Sequence, residues 1–195
     1  MAACSSSLAI ALGANLDDPL ATLLVVRPRL EALLADWAAP ATFRCRWSPL
    51  FRTAPVGGPA DQPDYINAAL LLEPCPAASP LLLLQRLLEL ERHFGRVREQ
   101  RWGPRRLDLD LLWCGSHCSR EPQLLLPHPR LAGRAFVLAP LAAIDPDLAV
   151  PLPAGGTCRG GALLAALLPS LPEPAPLRLE PRPGWPEAGA AAAPS

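Results

Sequence analysis

Residues 8–12 (LAIAL) form an unbroken apolar run that stops at Gly13, which predicts a short buried strand delivering a turn at Asn15. The period then changes. Asp17, Asp18 and Pro19 make an acidic opening with proline in the first turn, and Leu20, Leu23, Leu24, Leu30, Leu33 and Leu34 recur at helical spacing, so a helix follows, with Pro28 placed to kink it. Residues 47–52 predict a second strand, residues 53–63 (TAPVGGPADQP) a long Pro/Gly-rich functional loop, and residues 66–72 a third strand. Leucines over residues 80–94, stopped by Gly95, predict a second helix, and residues 107–113 (LDLDLLW) a fourth strand entered from an arginine-rich loop. Strand, helix, two strands, helix, strand is the order of a ferredoxin-like α+β antiparallel sheet with helices on one face. Residues 136–144 and 162–168 predict two shorter helices. From residue 169 onward Pro, Ala, Gly and Glu dominate without apolar period, so the expected organisation is one domain over residues 1–168 and a disordered tail over 169–195.

Composition narrows the function. With 195 residues, half of them hydrophobic, the chain can bury one domain's core. Its 18 basic residues, all arginine, and 18 acidic residues cancel, so no overall field favours nucleic acid or membrane, and charge must act through local clusters. Residues 7–13 are apolar enough for a leader peptide, but no basic residue precedes them and Asn15, Asp17 and Asp18 follow at once. No apolar run approaches the roughly 20 residues needed to span a bilayer. A cytoplasmic protein, working as a monomer, is expected. The six cysteines lack a CxxC pair, which fits reduced thiols. Cys114, His117 and Cys118 could offer three zinc ligands, but a structural site takes four and nothing nearby completes it.

The chemistry concentrates in the fourth strand and the loop before it. Asp108 and Asp110 stand two apart in a strand, so both side chains leave the same face, their backbones about 6.5 Å apart. On a generic strand such a pair is a polar face turned to water. Here Asp suits a strand poorly, and Arg96, Arg98, Arg101, Arg105 and Arg106 precede the pair closely. Carboxylates that hold a hard cation, beside guanidinium groups that hold phosphate, describe a magnesium nucleotide site, where two ions would neutralise a triphosphate. The loop over residues 95–106 (GRVREQRWGPRR) also reads as an RNA-binding patch with an interleaved Trp. Such a patch would gain nothing from Asp108 and Asp110, which repel a phosphate backbone unless metal is present. Gly95, Gly103 and Pro104 make the loop hinge-like, Trp102 can cover a flat ring, and a lid that excludes water suits phosphoryl transfer. The P-loop sequence is absent.

RWGPRRLDLDLL (residues 101–112) resembles the signature segment of the hydroxymethyldihydropterin pyrophosphokinases. ALGANL (11–16) is similar to that family's first-strand turn, FRTAPVG (51–57) and DQPDYINAA (61–69) to its pterin loop and third strand, and LPHPRLAGRAFVLAPLAAIDP (126–146) to its C-terminal block. These segments fall in the family's order and cover roughly residues 8–150. The resemblance implies transfer of diphosphate from ATP to 6-hydroxymethyl-7,8-dihydropterin, with AMP leaving. It implies that Asp108 and Asp110 hold two magnesium ions and that Arg96 and Arg105 contact the phosphates and assist transfer. Glu91, Arg98, Arg101, Leu111, His128 and Arg134 would line the nucleotide side. The pterin would stack between Tyr65 and Phe136 beneath Trp102, with Asn67 reading its polar edge and Thr53 and Val56 offering backbone contacts. Two departures stand out: Ala54 precedes Pro55 where the family often has two prolines, and the arginine loop is one residue shorter than in the best-known members.

Overall fold

The computed structural model describes residues 6–59, 61–95 and 103–186. In chain order they form β1 (Leu8–Ala14), α1 (Pro19–Ala38), β2 (Arg44–Trp47), β3 (Phe51–Thr53), β4 (Tyr65–Glu73), α2 (Pro80–His93) and β5 (Asp108–Cys114). A small hairpin of β6 (Ser119–Glu121) and β7 (Leu124–Leu126) precedes α3 (Ala135–Ile144). A second hairpin, β8 (Ala149–Pro151) with β9 (Thr157–Arg159), leads into α4 (Gly160–Leu167), and β10 (Leu177–Arg178) comes last. The helix starts follow their local chemistry. The Asp18 carboxylate accepts from the Ala21 amide at 3.0 Å ahead of Pro19, and the Ser79 hydroxyl accepts from the Leu82 amide at 3.3 Å ahead of Pro80. α1 runs on through Pro28.

The α+β sheet is antiparallel throughout, in the order β10-β3-β4-β1-β5, with β2 also on β4. The single strand expected over residues 47–52 is two strands. Pro49 has no amide to donate, and Ser48 takes over the pairing: its amide donates to the Ala69 carbonyl and its hydroxyl accepts from the Ala69 amide, both at 2.9 Å.

Helices cover both faces of the sheet, where the sequence predicts one. Leu8, Ile10 and Leu12 of β1 pack under α1 and α2, while Ala9 and Ala11 turn to the other face with Leu71, Leu112 and Trp113. There they meet Val137, Leu138 and Leu141 of α3, with α4 packed behind. α3 is apolar nearly all round because it lies between the sheet and α4.

The segment after residue 168 departs furthest from expectation. Within the described residues it is not a structureless tail: β10 pairs with β3, and the Trp185 side chain is buried in the α1/α2 core. A few specific contacts suffice to order a chain whose average composition predicts disorder. The cysteines separate similarly. Cys114 is buried, its sulfur 3.5 Å from that of Cys75, whereas Cys118 is exposed, and no group of three metal-ligating side chains occurs among the described residues. Burial pushes the Cys45 thiol up to about 12, keeping it protonated. No described helix is long and apolar enough to cross a membrane.

Two-sided burial makes a direct prediction. Leu30 of α1 and Leu138 of α3 are both fully buried on opposite faces of the sheet. Leu30→Ala and Leu138→Ala should each cost about 2 to 5 kcal/mol in urea unfolding, with one shared transition. A cost below about 1 kcal/mol for Leu138→Ala would mean that α3 does not share the cooperative core.

Candidate active site

α3 is short, ten residues or about 15 Å, and cannot cover the whole face of a sheet whose strand β4 has nine residues and reaches about 30 Å. The uncovered end lies where β1 finishes and β4 and β5 begin. A cleft of about 540 Å³ opens there, walled by the loop after Thr53, by Tyr65 and Asn67, by Asp108 and Asp110, and by residues 129–136. Its floor is β1. A side chain on Gly13 would place Cβ 2.9 Å from the Asn67 amide oxygen, so any larger residue here would force Asn67 to shift.

Asp108 pairs in register with Gly13 and Asp110 with Ala11, so both carboxylates stand above small residues with room around them. Each has its own arginine. Arg105 Nη1 donates to Asp108 Oδ2 at 2.9 Å, and Arg134 Nη1 donates to Asp110 Oδ2 at 2.8 Å. Burial works against the Arg105 charge, but Asp108 outweighs it and holds the guanidinium above its ordinary pKa. Arg134 also lies 5.4 Å from the centre of the Phe136 ring. His128 Nε2 is 4.0 Å from Asp110 Oδ2, too far for a hydrogen bond, while His128 Nδ1 accepts from the Arg130 amide at 3.2 Å. That bond puts the ring proton on Nε2, facing Asp110. Burial lowers the His128 pKa and Asp110 only partly opposes it, so the ring is neutral at pH 7.

On the opposite wall Asn67, nearly fully buried, donates through Nδ2 to Thr53 Oγ1 at 2.7 Å. Tyr65 enters from the start of β4 and Phe136 from the start of α3, and both line the cleft. The Tyr65 hydroxyl donates to the Gly103 carbonyl at 3.3 Å, and burial raises its pKa against the opposing pull of Arg105. Val56 sits exposed on the lip.

Some expected residues stand elsewhere. Leu111 belongs to the core under α1 and α2 and is not part of the cleft wall. Glu91, buried on α2, accepts from the Leu109 amide at 2.7 Å and so pins the start of β5 to that helix. Arg106 turns away and pairs with Asp17 at 3.0 Å. Arg96, Arg98, Arg101 and Trp102 lie outside the described residues.

The sequence reading places Asn15 only in a turn, yet its buried side chain ties two walls together. Its Oδ1 accepts from the Arg105 amide at 2.8 Å and its Nδ2 donates to the Pro63 carbonyl at 3.1 Å, while its own amide donates to the Arg105 carbonyl at 3.0 Å. A polar residue directly after a fully apolar strand is the signal that marks it. Arg130 and Gly133 also line the cleft, within the segment PHPRLAGR.

Comparison with known proteins bears directly on this cleft. Residues 9–146 match the profile of 7,8-dihydro-6-hydroxymethylpterin-pyrophosphokinase (HPPK). The 2-amino-4-hydroxy-6-hydroxymethyldihydropteridine pyrophosphokinase of Pseudomonas aeruginosa is 43% identical over 143 residues, spanning 73% of this chain and 82% of its own. That of Haemophilus influenzae is 40% identical over 142 residues, 73% and 83% of the two chains. That of Methylorubrum extorquens is 40% identical over 162 residues, 83% and 93%. Every cleft residue named above falls inside the matched span, and the chain belongs to the 7,8-dihydro-6-hydroxymethylpterin-pyrophosphokinase family.

Proposed function

We propose that this cleft carries out its family's reaction, moving the terminal diphosphate of ATP onto the hydroxymethyl oxygen of 6-hydroxymethyl-7,8-dihydropterin and releasing AMP, a step of folate biosynthesis. The supporting observation is the juxtaposition of two arginine-paired carboxylates with a buried amide across one glycine strand residue.

The donor set fits magnesium. Two carboxylates on an open wall, without a third metal-ligating side chain among the described residues, suit a hard cation that completes its coordination with phosphate and water. Asp108 and Asp110 would hold two magnesium ions with ATP, which would neutralise the triphosphate and the charge on the leaving AMP. Arg105 and Arg134, relieved of their carboxylates, turn to the phosphates, joined by Arg96, Arg98 and Arg101. His128, whose charged form burial disfavours, lines the nucleotide side. Glu91 and Leu111 support that side from beneath, through β5.

Asn67 offers both a donor and an acceptor to the amino-pyrimidinone edge, and Thr53 fixes its orientation. Tyr65 and Phe136 stack on the bicycle, Val56 closes the lip, and Trp102 covers the ring. The hydroxymethyl oxygen bonds to the β-phosphorus as the bond to the α,β-bridging oxygen breaks. Positioning and charge neutralisation supply the catalysis. The proposed working form is a monomer acting on two small molecules. The proposed setting is the cytoplasm, with no nucleic-acid or membrane partner.

The first test mixes purified protein with ATP, magnesium and the reduced pterin; AMP and the pterin diphosphate should appear together. Asp108→Asn and Asp110→Asn should each remove most turnover while the circular dichroism spectrum and melting temperature stay near wild type, because volume is kept and only the hard anionic oxygens are lost. Near-normal activity of both variants at low magnesium would sink the metal assignment.

Asn67→Ala separates the pterin site from a general basic surface. Leaving the heterocycle's polar edge unpartnered should cost about 1 to 3 kcal/mol, a loss of roughly tenfold or more in pterin affinity, with affinity for a magnesium-bound ATP analogue unchanged. Calorimetry of wild type and variant with pterin, with the analogue and with single-stranded RNA reads all three. An RNA-binding surface predicts instead a salt-sensitive affinity that is indifferent to this amide.

A further inference from the structure

We propose that residues 177–186 form a strap that positions β3 and thereby shapes the pterin side of the cleft. This gives a substrate-site role to a segment beyond the residues that match the family. The proposal rests on the pterin assignment of Asn67 and Thr53 made above.

β3 is only three residues long, too short to hold its place alone. On its inner side it pairs with the part of β4 that faces the substrate: Phe51 stands opposite Asn67 and Thr53 opposite Tyr65. Its outer edge is closed by the strap. Leu177 and Arg178 pair with Arg52 and Phe51, and the Leu179 amide donates to the Leu50 carbonyl at 2.9 Å.

The strap also grips the hinge before β3. Trp185 Nε1 donates to the Ser48 carbonyl at 2.8 Å, and its ring meets Trp47 edge-on at 5.2 Å between centroids. Ser48 is the residue that bridges the break between β2 and β3 through its two bonds to Ala69. A turn closed by the Trp185 amide on the Arg182 carbonyl, with Gly184 at φ +81, brings the indole into the core beside α1. β3 is therefore held at its hinge, along its outer edge and by β4. At its far end the Thr53 hydroxyl orients the Asn67 amide. Loosening the strap frees Leu50, Phe51 and Arg52 and, through them, the adjoining Thr53 and the polar edge reader it orients. The nucleotide side, built from β5 and residues 128–134, pairs with no part of the strap.

The test compares the full chain with one ending at Ser170 and with Trp185→Phe, which keeps an aromatic ring but loses the indole N–H. Calorimetry measures a non-hydrolysable magnesium ATP analogue, then pterin in its presence, with melting curves to confirm folding. Truncation should weaken pterin about tenfold and Trp185→Phe about threefold, while analogue affinity stays within about twofold. Pterin affinity unchanged in both variants overturns the proposal, as does a parallel loss for both ligands, which would mark the strap as a general stabiliser. If the truncated chain does not fold, Trp185→Phe alone decides by the same split. Failure of the full chain itself to bind pterin would instead remove the pterin site, and the strap's role with it.

Discussion

Two carboxylates at alternate positions of a strand repel one another at close range, and in a partly buried site the repulsion is screened far less than in water. β5 cannot escape this by exposure, because its other residues are buried on both faces of the sheet. Asp108 and Asp110 can therefore stand only where a covering helix stops, and each needs its own counter-charge. The surrounding architecture follows from that need. Arg105 is delivered by the segment entering β5 and Arg134 by the residue just before α3, so two separate stretches of chain converge on one pair of acids. α3 must begin where it does, since another turn before Ala135 would fill the space the acids require.

The two ion pairs would let one wall serve both the proposed metal and the phosphates. Asp108 and Asp110 each have an arginine on the same wall, so neither carboxylate stands there as an uncompensated charge. A divalent cation competes with each guanidinium for its carboxylate, and a triphosphate competes with each carboxylate for its guanidinium. Neither exchange is favourable alone, because each leaves one partner exposed to its own desolvation cost. Together the two exchanges would re-pair Asp108, Asp110, Arg105 and Arg134, so the proposed nucleotide and metal would bind this wall as a single ligand. Arg130 adds a further positive charge to the cleft, and His128 beside it has its charged form disfavoured by burial.

Much of this was legible in the sequence, and the reasons differ by element. β1, α1, β4 and α2 announce themselves because each has a strong period or an unbroken apolar run with a clear cap. Asp108 and Asp110 stand out because Asp is a poor strand former placed inside one. The break between β2 and β3 is hidden in the sequence, since Pro49 sits within one largely apolar stretch while the Ser48 side chain that replaces the missing pairing is visible only in three dimensions. α3 could not be assigned a face because a helix buried all round has almost no amphipathic signal. Among clustered arginines, spacing does not say that Arg105 turns inward and Arg106 outward; that is settled by Asn15, which holds the Arg105 backbone at both its amide and its carbonyl. The strap was missed because composition averages over residues, whereas one buried tryptophan and a two-residue ladder decide its order.

Gly13 pairs with Asn67 on one side and Asp108 on the other, so amide, glycine and carboxylate lie in a single row across three hydrogen-bonded strands. The spacing between Asn67, the proposed pterin edge reader, and Asp108, the first acid proposed to hold metal, is then two inter-strand steps, about 9 to 10 Å at the backbone, fixed by the sheet itself. The loops around the cleft add reach and cover without setting this distance. Asn15 ties their far ends together, joining Pro63 before β4 to Arg105 before β5, so a shift of either segment is transmitted through one side chain anchored at the end of β1. A transfer reaction between two bound molecules needs this division. The sheet row sets the separation of Asn67 and Asp108, and the loops joined by Asn15 supply the surrounding walls without changing it.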